Sequence, residues 1–341
     1  MSIAYVSVAG EKRILVLHLG GANGTVTEVR RVAVPGPGSE APISMPLAIS
    51  PDRRFLYAAV RSAPYPVSTF AIDVASGDLS HVSTSVLPDA MAHISADRSG
   101  RFLFGASYSG SMLAVNAIGP NGSIAPAPVQ TIAGRSKAHS LLADAGNRFV
   151  YAAILGEGEI VRMSFASATG VLSEPVPWVR APLKGSPRHL AFHPNARWLY
   201  CVNELDATID CFAVDAETGA LDLRQNLSLL PAKFAGPTSA ADIHVTPEGN
   251  FLYASERTQS VLGCFAIDPA NGVLTPAGLT PTEAGPRGFN IDPRGQFLLS
   301  AGQVSGQIAV YAIDSATGHL ELLRVLPVGP NPNWIEIIEL P

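Results

Sequence analysis

Six aromatic residues, Phe55, Phe102, Phe149, Trp198, Phe251 and Phe297, each open a β-type run. Ten residues before them stand Met45, Ala92, His139, Arg188, Ala241 and Arg287, and six residues after them stand Arg61, Tyr108, Leu155, Glu204, Arg257 and Gln303. An imidazole, a carboxylate and several guanidiniums at equivalent places can move protons and hold developing negative charge. One residue nearer the aromatic, further polar groups appear (His93, Ser140, His189, Asp242), and the last residue of the following run adds Asn203. The position after that is apolar in all six copies: Leu47, Ile94, Leu141, Leu190, Ile243 and Phe289. Uniform packing positions beside varied polar ones describe a repeated scaffold that builds one asymmetric site. Of the four lysines, Lys137, Lys184 and Lys233 fall in the segments leading into these runs. The mouth of the site is therefore expected to be positive and to attract a small anion, although the chain carries a net charge of −5.

The elements that position these groups follow from a repeat. Seven times a β-type run ends in a near-copy of Phe-Ala-Ile-Asp-x-x-Thr-Gly-x-Leu, with turn glycines at Gly24, Gly77, Gly122, Gly170, Gly219, Gly272 and Gly318. Their spacings, 45 to 53 residues, are the length of a four-stranded propeller blade. A second signature, a Pro/Asp/Gly/Asn bend followed by an aromatic-rich strand, occurs in six copies such as Pro194-Asn195-Ala196-Arg197-Trp198-Leu199-Tyr200. The seventh is divided between the ends: Ile3 to Val8 resembles the strand after the bend and Trp334 to Ile338 the strand before it. The reading is an all-β, seven-bladed β-propeller of four-stranded antiparallel blades, a single domain over residues 1–341, closed by pairing the N- and C-terminal strands in one blade. With strands lettered A to D from the axis outward, the start of A and the end of B meet at one mouth of the central channel.

Several chemistries find no support. Cys201, Cys211 and Cys264 lack metal-ligand spacing and are odd in number, and His93, His189, His193 and His244 show no His-x-x-x-His pattern, so no metal and no cofactor are expected. Gly156-Glu157-Gly158 lacks the rest of a dinucleotide loop, and neither a Gly-Lys-Ser phosphate loop nor a Gly-x-Ser-x-Gly elbow is present. The acidic balance gives no reason to expect nucleic acid, and no apolar run reaches the length of a membrane span. A cytoplasmic protein, monomeric or a small homo-oligomer, is the expectation.

The stretches Lys137-Ala138-His139-Ser140, Gly185 to Pro194, Cys201-Val202-Asn203-Glu204-Leu205, Ala240 to Gly249 and Gly285 to Ile291 resemble the motifs of the seven-bladed propeller lactonases over nearly the whole chain. The resemblance implies hydrolysis of a sugar lactone, first of all 6-phosphogluconolactone. Another lactone, unphosphorylated or carboxylated, is an alternative, as is the chemistry of the similar carboxymuconate cycloisomerases, whose His, Arg, Glu, Arg set matches His139, Arg188, Glu204 and Arg257. A non-catalytic binding scaffold is the remaining class, but the chain lacks the Trp-Asp blade ends of scaffold propellers. At Ala254-Ser255-Glu256-Arg257 the chain departs from the Cys-Asp-Arg of the bacterial lactonase motif. On this reading Glu204 is the general base, His139 its partner or the acid, and Arg188 the group on the lactone carbonyl. Substrate binding falls to Arg257, Arg287, His189, Asn203, Asp242, His244, Asn290, Gln303, Lys137 and Lys184.

Overall fold

The computed structural model describes residues 2–20, 24–38, 40–180 and 185–340. Seven antiparallel sheets follow one another along the chain. Blade 1 joins Pro332–Glu339 (strand A) to Ser2–Val8, Arg13–Gly20 and Thr25–Ala33. Seven residue pairs run from Ser2 opposite Glu339 to Val8 opposite Pro332, so the two ends of the chain share one sheet as the split repeat required. Blades 2 to 7 occupy residues 47–86, 91–133, 138–180, 187–228, 240–281 and 286–327 in unbroken order. In blade 4 the outermost strand is interrupted, and its two pieces, Val171–Leu172 and Val176–Arg180, both pair with Glu159–Ala166. Among the described residues the only helical element is the single turn Ala9–Glu11.

The core is seven apolar clusters, one in each interface between neighbouring blades. This accounts for the invariant apolar position on strand A: Leu47, Leu141, Leu190, Ile243 and Phe289 each enter such a cluster. The two sequence signatures meet in these interfaces. Gly272, the turn glycine of blade 6, has φ +76° and lies against the indole of Trp198, the bend aromatic of blade 5, where an added Cβ would come within 2.5 Å. Tyr200, two residues along the same strand, donates its hydroxyl to the Gly272 carbonyl at 2.9 Å. Tyr5, Tyr151 and Tyr253 make the same bond to Gly77, Gly219 and Gly318. A buried phenol finds its partner in the turn carbonyl of the next blade and ties blade to blade; the Gly272 and Gly318 carbonyls also accept from the Cys211 and Cys264 thiols. Blade 2 uses Thr69 instead, 3.0 Å from the Gly122 carbonyl.

Candidate active site

His139, Arg188 and Arg287, each ten residues before its aromatic, reach the mouth because strand A is bulged at each of them. In blade 4 Ala138 pairs with Ile154 and Ser140 with Ala153, leaving His139 as the extra residue. Arg188 is the extra residue between Pro187 and His189, and Arg287 between Pro286 and Gly288. A bulge re-aims one side chain and breaks the strict alternation of a strand. The bulged residues accordingly point into a cavity of about 360 Å³ at the mouth, while His189, the residue after Arg188, turns the other way. At two of these bulges, His139-Ser140 and Arg188-His189, consecutive polar residues before the apolar position are its sequence trace.

Ile43, Arg61, Tyr108, Ser109, His139, Arg188, Glu204, Arg257 and Arg287 line that cavity. Glu204 follows strand B of blade 5 and is fixed through its backbone, its N–H donating to Ser186 O (2.8 Å) and its carbonyl accepting from Ala240 N (3.0 Å). Its carboxylate receives Arg188 Nε at 2.9 Å and faces Arg257 Nη2 at 3.0 Å. Arg188 is 1% exposed and also donates Nη1 to the Ala241 carbonyl, whereas Arg257 Nε donates to Ser239 O at 3.0 Å. Burial pushes the Glu204 carboxyl up, but the two guanidiniums outweigh it and hold it below the ordinary carboxylate range. Arg188 is drawn down to about 10 by burial and by Arg257, against the pull of Glu204, and so keeps its charge at neutral pH.

His139 is buried, its Nδ1 has no hydrogen-bond partner, and its ring meets Tyr108 edge-on at 5.9 Å. Burial, then Arg188, His189, Arg287 and Arg61, hold the imidazole well below its usual value, so it is neutral near pH 7. Arg287 is pulled down by burial and by Arg188, Arg257 and Arg61. The cavity thus carries four guanidiniums against one carboxylate, the positive mouth the sequence led us to expect.

The other sequence-derived candidates lie elsewhere. His189, Asp242, His244 and Asn290 line a second cavity of about 410 Å³ toward the opposite end of the channel. There Asp242 bridges His189 Nδ1 (2.8 Å) and His244 Nε2 (3.3 Å), and Asn290 donates to Ile335 O at 2.9 Å. Asn203 is fully buried and donates to Thr208 Oγ1 and Asp210 Oδ2, both at 2.9 Å, bracing the turn after its strand. Gln303 donates to Asn331 Oδ1 at 2.9 Å, outside the cavity wall. Lys137 is exposed, with Nζ 5.7 Å from the centre of the Tyr108 ring. Lys184 lies outside the described residues. Arg61 and Tyr108, which share the strand-B position with Glu204, belong to the cavity but were absent from the candidate set. Among the described residues no group of three or more His, Cys, Asp or Glu side chains is arranged to hold a metal ion.

Comparison with known proteins gives the family. The chain is 42% identical over 339 residues to the 6-phosphogluconolactonase of Pectobacterium carotovorum subsp. carotovorum, spanning 99% of both chains. It is 41% identical to that of Serratia proteamaculans, covering 98% of both. Among solved structures, the Pseudomonas aeruginosa periplasmic gluconolactonase superposes with a TM-score of 0.89 at 28% identity, over 100% of this chain and 99% of that one. A sequence profile described as "Lactonase, 7-bladed beta-propeller" matches residues 2–337. The chain belongs to the lactonase family of seven-bladed β-propellers.

Proposed function

We propose that this protein hydrolyses 6-phosphogluconolactone to 6-phosphogluconate. The observation that carries the reading is the cavity itself, in which a neutral imidazole and an ion-paired carboxylate stand among four guanidiniums. The name shared by the bacterial relatives supports the substrate.

Lactone opening adds a water oxygen to the ring carbonyl, passes a negatively charged tetrahedral centre, and breaks the bond to the ring oxygen, which takes up a proton. Arg188, held on Glu204 and on the Ala241 carbonyl, is fixed beside the cavity as a donor to the developing oxyanion. Carboxylates paired with two guanidiniums are weak bases, whereas an uncharged imidazole can accept the proton of the attacking water and return it to the ring oxygen. We therefore assign the proton transfers to His139, and to Glu204 the placement of Arg188 and Arg257. Arg257 and Arg287 complete the positive wall that receives the phosphate. Phosphorylated sugars do not cross membranes unaided, so the proposed location is the cytoplasm, and no helix among the described residues is long and apolar enough to span a bilayer.

A second reading, hydrolysis of unphosphorylated gluconolactone, is favoured by the high structural similarity to the Pseudomonas gluconolactonase. Following proton release as 6-phosphogluconolactone opens, with the uncatalysed rate subtracted, tests the first. Acceleration by the protein supports it, and its absence refutes it.

A further inference from the structure

Arg61 differs from the two arginines that hold Glu204. The residue is 7% exposed and lies in the wall of the mouth cavity on blade 2, two residues beyond Phe55–Ala59. Its backbone N–H donates to Ser44 O at 3.2 Å and its Nη1 to Ser44 Oγ at 3.1 Å. Nε is buried without a partner, and no carboxylate forms an ion pair with Arg61 among the described residues. The acid that acts on it from a distance, Asp89, is engaged by Ser107 Oγ and by the Ala90 N–H, both at 2.7 Å. Buried guanidiniums are ordinarily paired, because removing an unpartnered charge from water is costly. The segment carrying Ser44 is itself secured: Asn331 Nδ2 donates to Ile43 O at 3.2 Å, and Asn333 Oδ1 accepts from Met45 N at 3.1 Å.

Arg287, on blade 7, likewise forms no ion pair among the described residues; it feels Arg188, Arg257 and then Arg61 as neighbouring positive charges, with Glu204 opposing them. Blades 2 and 7 flank blade 1; blade 2 is three blades from blade 5, which carries Arg188 and Glu204, and blade 7 is two blades from it. In 6-phosphogluconolactone the phosphate hangs on C6, outside the ring, on the carbon joined to the carbonyl carbon through the ring oxygen, so groups that hold it stand beside those that hold the carbonyl. We propose that Arg61 is a phosphate-binding, specificity-determining residue of this site, closing with Arg287 on the phosphate while the carbonyl faces Arg188 and His139. The proposal rests on the lactonase reading above and adds to it the residue that selects the phosphorylated substrate. A planar guanidinium that no carboxylate neutralises suits phosphate oxygens better than a point charge does.

Calorimetric titration of inorganic phosphate into the full chain tests the assignment, alongside kinetics on 6-phosphogluconolactone and gluconolactone. Arg61→Gln is expected to weaken phosphate binding by about 10- to 100-fold and to lower the ratio of kcat/KM for the phosphorylated over the unphosphorylated lactone by a similar factor. Arg61→Lys, which keeps the charge and loses the fork, is expected to fall between wild type and Arg61→Gln. If Arg61→Gln does not fold, Arg61→Lys and Ser44→Ala decide the matter, each with a several-fold drop in the same ratio. Unchanged phosphate affinity and an unchanged ratio in the folded variants overturn the role of Arg61 and leave the lactonase reading intact. A wild-type protein that neither binds phosphate nor prefers the phosphorylated lactone overturns the substrate reading instead.

Discussion

Replacing His139 with Gln tests which group moves the proton. The imidazole is buried and surrounded by cations, so its conjugate acid forms only well below the usual value of 6.5. A base with a lowered pKa is in its working, neutral form at every pH above that value and is switched off as pH falls through it. The kcat/KM of the wild-type protein should therefore be level from pH 8 down through 6.5, with its acid limb below. His139→Gln should lower kcat by roughly 10²- to 10⁴-fold, the range for loss of a positioned acid or base, and should abolish that limb. Glu204→Gln should also lower kcat, by about 10²- to 10³-fold, because Arg188 and Arg257 lose the carboxylate that places them, but its acid limb should persist. The assay is initial-rate proton release between pH 5 and 8 with background opening subtracted. A limb that survives in His139→Gln and disappears in Glu204→Gln refutes the reasoning and makes Glu204 the base.

Three further outcomes follow from the fold and from the second cavity. Deleting residues 332–341 removes strand A of blade 1 with Ile335, Ile337, Ile338 and Leu340, all buried, at roughly 1.5–3 kcal/mol each. That sum rivals the whole stability of a typical domain, so thermal melting should show loss of cooperative unfolding, and a melt within a degree or two of the intact chain contradicts closure by the termini. Gly272→Ala places a Cβ at φ +76° and 2.5 Å from Trp198, and should cost about 2–4 kcal/mol in denaturant unfolding, a loss under about 0.5 kcal/mol contradicting the packing described. Burial pushes the Glu336 carboxyl up to about 7 from 4.5, opposed by the Trp334 N–H bond at 2.9 Å and by His244. A raised acid favours the folded state while protonated and loses that advantage as pH climbs through 7, so Glu336→Gln should gain about 1–3 kcal/mol relative to wild type at pH 8 and little at pH 5. Equal effects at both pH values would show that Glu336 does not titrate in that range.

The blade count, the closure and the mouth were legible because each depends on local, repeated chemistry: a glycine where φ is positive, a bend, an aromatic, an apolar residue at a fixed offset. Tyr200 and Gly272 stood in the motifs as separate marks, and only the packing of one blade on the next showed that they bond. The bulge explains what was less legible. Counting back from Trp198 puts Arg188 and His189 side by side at one rim, yet the register shift sends Arg188 to the mouth and His189 toward the far end of the channel. Asn203 and Gln303 occupy strand-B positions like those of Glu256 and Glu204, but Asp210 and Asn331 engage them, and such partners cannot be read from a repeat. Arg61 was visible at its offset and escaped selection because nothing in sequence distinguishes a paired guanidinium from an unpaired one.

The most direct test of the central claim compares kcat/KM for 6-phosphogluconolactone and for gluconolactone on the same preparation, at low and at moderate ionic strength. Anions held by buried guanidiniums gain charge-assisted bonds that a neutral lactone cannot make, and attraction from a distance is screened by salt. The account predicts a preference of about 10-fold or more for the phosphorylated lactone, narrowing as salt is raised. Equal values for the two lactones, or a preference for gluconolactone, would contradict it.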